Sequence, residues 1–134
     1  MRVEAFLLCD AATRQQGKLN VLGTFDTIWV KQLPAKHPAC TVAMRIRFEK
    51  IENGSHSVRI RIVNQGGKTI SPELKDDILT ELESGQDSVV ANLTFVMFDL
   101  KFEELGQYKV ELFIDGKTRK PLPLIIRSLE EQEK

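Results

Sequence analysis

Net charge, cysteine and long apolar runs are what this sequence has least of. Its nineteen Lys and Arg balance nineteen Asp and Glu, so no global field draws the chain onto nucleic acid or an anionic membrane. Any electrostatic partner must be recruited by a local patch. Zero net charge also weakens repulsion between copies, which leaves self-association open. Two cysteines in 134 residues exclude a disulfide scaffold. Cys9 and Cys40 each lie inside an apolar run, where a thiol behaves as a small buried hydrophobe. The start of the chain offers only Ala5 to Cys9 as an apolar stretch, too short for a signal peptide's hydrophobic region or a membrane span. A cytoplasmic location, reduced thiols and no membrane partner are expected. The glycosylation-like triplets Asn53-Gly54-Ser55 and Asn92-Leu93-Thr94 are then chance, because that pattern has meaning only on a secreted chain.

Gly and Pro are also modest, at eight and five, which excludes collagen-like and low-complexity chains. An apolar content of 42% excludes disorder. A chain of this length buries enough surface to need neither a disulfide nor a structural metal.

What the chain does have is β-branched residues: ten Val, ten Ile and eight Thr, the types that pack best on a pleated surface. Strands are expected at 3–9, 19–25 and 27–31, with the polar stretch 10–18 as a connection and Pro34 and Pro38 bracketing a loop. The clearest alternation sets Val42, Met44, Ile46 and Phe48 against Thr41, Ala43, Arg45, Arg47 and Glu49. It resumes with Val58, Ile60 and Ile62 against Arg59 and Arg61. Joined through Glu52-Asn53-Gly54, the two runs predict a hairpin. A two-residue turn would set Phe48 opposite Arg59, so Gly54 is expected in a bulge that pairs Phe48 with Val58 and Ile46 with Ile60.

Gln65-Gly66-Gly67 turns the chain into a short return strand at 68–70. Ser71 as cap, Pro72 as first helical residue, Leu74, Ile78 and Leu82 at four-residue steps and Gly85 as terminator describe a short helix over 72–84. A long apolar strand follows at 89–98. Another at 107–115 carries Tyr108, Val110, Leu112 and Ile114 on one face, Asp115-Gly116 signals a hairpin, and 118–127 closes the set. The pattern predicts an all-β antiparallel β-sandwich of about eight or nine strands. It forms one domain over 1–128 with a charged tail at 129–134.

Leu105-Gly106-Gln107-Tyr108-Lys109-Val110 is similar to the tyrosine corner of immunoglobulin-like sandwiches, in which the hydroxyl bonds nearby backbone. Val110 stands where an antibody domain has its second disulfide cysteine. Cys9-Asp10, the run Gly17-Lys18-Leu19-Asn20-Val21-Leu22-Gly23-Thr24-Phe25-Asp26, and Gly106-Gln107-Tyr108 through Asp115-Gly116 resemble a family of small, mostly bacterial domains of unknown function with an immunoglobulin-like β-sandwich. The resemblance implies a fold and a bacterial origin, and no activity. It also implies that 71–85 is partly extended, against the helix signals.

Candidate chemistry is sparse. Gly67-Lys68-Thr69 mimics the end of a phosphate-binding loop, but Ile62 stands where the first glycine belongs, so a turn is expected. His37 and His56 are the two histidines, and neither has a second ligand at metal spacing, so no metal and no cofactor are expected. Asp10, Asp26, Asp99 and Asp115 sit at strand ends, where Asp makes turns. No nucleophile stands on a recognisable elbow, and Trp29 is expected in the core.

Two surfaces remain. Arg45, Arg47, Arg59 and Arg61 would share the outer face of the expected hairpin and could bind an anion or nucleic acid, although a solvated face is the plainer account. Val96, Phe98, Phe113 and Ile125 fall on the parity opposite the core and would form an apolar interface. The function expected first is a non-enzymatic structural or protein-interaction module that self-associates as a homo-oligomer or binds a protein partner. An anion- or nucleic-acid-binding module is the alternative, and a small enzyme built at the strand-end loops is weaker.

Overall fold

The computed structural model describes residues 1–132. In chain order the elements are β1 (Arg2–Gln15), β2 (Lys18–Thr24), β3 (Thr27–Val30), β4 (Ala35–Glu49), a 3-10 turn at Lys50–Glu52, β5 (Gly54–Val63), β6 (Leu74–Thr80), β7 (Ser88–Phe102), β8 (Gly106–Ile114), β9 (Lys117–Thr118), β10 (Leu122–Ser128) and a helical turn, α1 (Leu129–Gln132). Residues 133 and 134 of the expected tail lie outside the described residues. Two sheets form, one in the order β2-β1-β4-β7 and the other β3-β10-β8-β5-β6 with β9 beside β8. All pairings are antiparallel except β3 with β10. The all-β sandwich expected from composition is the observed class, with ten strands.

The alternating residues do face the core. Val42, Met44, Ile46 and Phe48 of β4, and Val58, Ile60 and Ile62 of β5, are fully buried in one cluster with Val110, Leu112, Leu124 and Ile126. The expected hairpin between them is absent. β4 pairs β1 and β7 in the first sheet, while β5 pairs β6 and β8 in the second. The chain crosses the core through the Lys50–Glu52 turn, and Gly54 begins β5 rather than forming a bulge. Two strands with apolar inner faces can satisfy each other across a sandwich as well as side by side, and periodicity is blind to the difference.

The helix expected at 72–84 is also corrected. Its centre is β6, paired with β5 so that Leu74 lies opposite Ile60 and Ile78 opposite His56. Four-residue spacing puts side chains on one face of a strand as well as of a helix, and β5 needs a partner along its backbone. The resemblance anticipated the extended chain. Trp29 is half-buried, while its neighbours Ile28 and Val30 are the buried residues of β3.

The stretch expected as a polar connection at 10–18 is instead a β-hairpin arm. β2 pairs residues 9–15 of β1 around a two-residue turn with φ of 51° at Gln16 and 74° at Gly17, both left-handed as a tight hairpin requires. Cys9 lies opposite Thr41 and Ala5 opposite Arg45. The Gly17 carbonyl nevertheless accepts bonds from Asn92 Nδ2 at 3.1 Å and Arg45 Nη1 at 3.4 Å. β1 therefore doubles back beyond Cys9 and lays the arm across the outer face of its own sheet. Arg14 completes the clip by donating to the Asn92 carbonyl at 3.1 Å. The arm explains why Thr41 and Ala43, on the outward parity of β4, are buried. Tyr108 donates its hydroxyl to the Glu104 carbonyl at 2.8 Å and meets the Phe102 ring edge-on, as expected for a tyrosine corner.

Candidate functional site

The four arginines do not form one surface. Arg45 and Arg47 lie on the outer face of the first sheet, Arg59 and Arg61 on the outer face of the second. This separation follows from the crossing between β4 and β5. Each pair is also matched by carboxylate. Glu4, the extra residue where β1 shifts register against β4, meets Arg45 at 3.0 Å and Arg47 at 2.8 Å. The Arg47 hydrogen bond leads in holding the Glu4 carboxyl below its usual range, against the effect of burial and with help from Arg45. Arg47 also donates to Ser88 Oγ at 2.9 Å. On the other face Arg59 meets Glu73 at 3.3 Å and Arg61 meets Glu111 at 2.8 Å. Both guanidinium groups lie over the Phe113 ring, 4.8 and 5.0 Å from its centre.

The apolar set divides in the same way. Phe113 faces outward but is buried beneath those two arginines, and Ile125 is half-buried on β10 of the second sheet. Val96 and Phe98, both on β7, remain 46% and 67% exposed. Asp99, with φ of 51°, shifts the alternation of β7 by one place, so that burial passes from Met97 to Leu100 and Phe102 while Phe98 stays outside.

These two residues lie on the most open part of the backbone. β7 is the last strand of the first sheet, fifteen residues long, and pairs along its length with β4 alone among the described residues. Between Asp87 and Asp99 it carries no charge, proline or glycine. Exposed edges are normally guarded by charge, proline, a bulge or shortness. Edges of the second sheet are: β6 has Lys75, Asp76 and Asp77, and β3 has four residues. The first half of β1, left open because β2 pairs only beyond Leu8, has Glu4 in its bulge and faces Pro121 and Pro123 across a cleft of about 580 Å³. Arg14 places its guanidinium on this edge at the Asn92 carbonyl, so the unguarded stretch is Thr94 to Phe98, which a reading based on face parity alone missed. Its signal was the uncharged run itself.

The remaining candidates are structural. Burial pushes the Cys40 thiol up to about 11 and raises that of Cys9, which keeps both protonated and poor as nucleophiles. Gly67-Lys68-Thr69 is a turn in which Asn64 Oδ1 receives the Lys68 amide at 2.9 Å. His37 sits near Phe25 with a buried Nε2 that has no protein partner. No group of three or more His, Cys, Asp or Glu among the described residues could hold a metal ion, and none of the described helices is long and apolar enough to cross a membrane. His56, missed as a pairing residue by the sequence reading, bonds Asp115 through Nδ1 at 2.7 Å.

Among curated proteins none matches this chain. Over residues 4–127, nearly its whole length, the chain matches the profile of DUF6941 and belongs to that family of unknown function.

Proposed function

We propose that the domain is a non-enzymatic protein-interaction module that receives an extended segment of its partner on the free edge of β7. The observation that carries this reading is the stretch of that edge beyond the Arg14 contact, Thr94 to Phe98, which has no charge and no neighbouring strand on its free side among the described residues, with Val96 and Phe98 exposed beside it. Strand addition draws affinity from main-chain hydrogen bonds and selectivity from alternate side chains, and this edge offers both. The non-enzymatic part is supported by the protonated, buried thiols, which are poor nucleophiles. The alternative of an anion- or nucleic-acid-binding face has lost the convergence of four arginines on which it depended.

Panning a library of short random peptides against the folded domain tests the reading. Recovered peptides are expected to be extended, apolar-alternating sequences that bind the wild type and not Val96→Lys or Phe98→Lys. Peptides that bind both variants as well as the wild type would place the working surface elsewhere and overturn it.

A further inference from the structure

We propose that the cleft between β1 and the segment leading into β10 binds a single-chain aliphatic carboxylate, its chain lying along the open flank of the core and its head held by Arg119 and Lys120. This site is independent of the β7 edge. Both sheets stop short at this flank. β2 pairs β1 only from Cys9 onward, and β3 pairs β10 only from Ile125 onward. Residues 3–6 and 119–123 therefore border a cleft of about 580 Å³ that no strand of the described residues fills. Its floor is the side of the core itself. Leu112 is buried there, while Val3, Phe6 and Leu122, paired with the buried Ile46, Met44 and Val110, pack half-buried against the same cluster. An apolar cleft of this size with a few polar groups at one end is the usual form of a small-molecule site.

The occupant's chemistry follows from the walls and from the charges. On one wall Glu4 interrupts the register of β1, and on the other Pro121 and Pro123 have no N–H to donate. A peptide laid here would meet a broken ladder on one side and no donors on the other, leaving amides unpaired in an apolar cleft. An alkyl chain carries none. The cations sit at one end. Arg119 and Lys120 border the cleft beside Val3 and Glu4, both exposed and neither with a carboxylate within 4 Å among the described residues. Glu4, the acid at that end, is already held by both Arg45 and Arg47. Beyond Phe6 the groove continues into a hollow of about 390 Å³ that shares Leu122 and Pro123 and is bordered by Leu7, Leu8 and Phe25, where the Phe25 amide bonds the Leu8 carbonyl at 3.0 Å. Asp26 stands at that far end. An anionic head is therefore attracted at Arg119 and Lys120 and repelled at Asp26, which sets the direction of the chain.

Isothermal titration with hexanoate, octanoate and decanoate, each below its micelle concentration, is the test, beside decylammonium as the same chain with a cationic head. The expected result is a single site, affinity rising by up to about fourfold per buried methylene, and no saturable binding of decylammonium. Because Arg119 and Lys120 are exposed, the double variant Arg119→Glu/Lys120→Glu should fold, which circular dichroism checks. It should bind decanoate about tenfold more weakly or worse. Amide shifts in the NMR spectrum should gather at residues 3–8 and 119–124 on adding decanoate and leave Thr94 to Phe98 unmoved. No saturable binding at any chain length, decylammonium bound as tightly as decanoate, several sites per chain, or shifts centred outside the cleft would each overturn the proposal. So would a folded charge-reversal variant that binds as the wild type does. Movement of residues 3–8 by panned peptides but not by decanoate would assign the cleft to a strand and overturn it as well.

Discussion

His56 ties three segments together with one ring. Its Nδ1 meets the Asp115 carboxylate at 2.7 Å, its Nε2 meets the Glu52 carbonyl, and its face stacks on Phe48 with centroids 4.3 Å apart. Both partners accept hydrogen bonds, so this geometry favours the doubly protonated, cationic ring over the neutral one. Burial pulls its pKa down, but the bonds to Asp115 and Glu52 outweigh it and the net shift from 6.5 is upward. For Asp115 burial pulls upward, while His56 and the Ser57 amide together hold the carboxyl below 3.8. The His56 contribution is therefore complete below the unfolded pKa and lost as pH rises through the raised one. That of Asp115 is present above its unfolded pKa and lost in acid. Urea midpoints should fall for the wild type between about pH 6 and about pH 9, and the fall should be smaller in His56→Gln. Equal slopes would show that the ring is not charged in the folded state. Tyr108 makes a simpler case: Tyr108→Phe removes the bond to Glu104 and should cost about 1 kcal/mol in the same assay.

At the scale of elements the decisive feature is the bend that returns the β1–β2 arm onto its own sheet. Gly23 has φ of 69°, and a Cβ there would lie 2.5 Å from Asp10 Oδ2. Gly23→Ala therefore strains the backbone and displaces a side chain, at a cost of about 1–3 kcal/mol. Asp10 can swing away, so Asp10→Ala in the same chain should recover the part due to contact and leave the part due to φ. Hydrogen exchange should locate the damage in the arm, at residues 11–22, while β5 and β8 stay protected. Uniform loss of protection would instead make the arm part of the global folding unit.

The whole molecule is two sheets closed on one core, in which Phe48 and Met44 of one sheet pack with Ile60, Val110 and Leu112 of the other. Neither sheet has an inner face of its own to bury elsewhere, so they should unfold together. Trp29 lies in the second sheet, and its fluorescence midpoint is expected to coincide with the circular dichroism midpoint of the whole chain. Separate transitions would mean that the sheets are independent. Phe48→Ala, which leaves a cavity at the crossing between them, should cost about 3–5 kcal/mol and lower both midpoints equally.

The sequence determined which residues face inward and, from β-branched content and turn residues, that the chain is all-β. Val42 to Phe48, Val58 to Ile62 and the strand holding Tyr108 kept the parity read from alternation, because that pattern is local and a strand has only two faces. Tertiary structure alone decided which strands are neighbours. Alternation could not tell a hairpin from two strands meeting across a core, so Arg45 and Arg47 were grouped with Arg59 and Arg61 although a sandwich separates them. Four-residue spacing could not tell β6 from a helix turn, since both put Leu74 and Ile78 on one side. The open edge of β7 was written in an uncharged run, but an edge exists only once sheet order is fixed. That order is set by long-range burial and backbone pairing, which no local pattern contains.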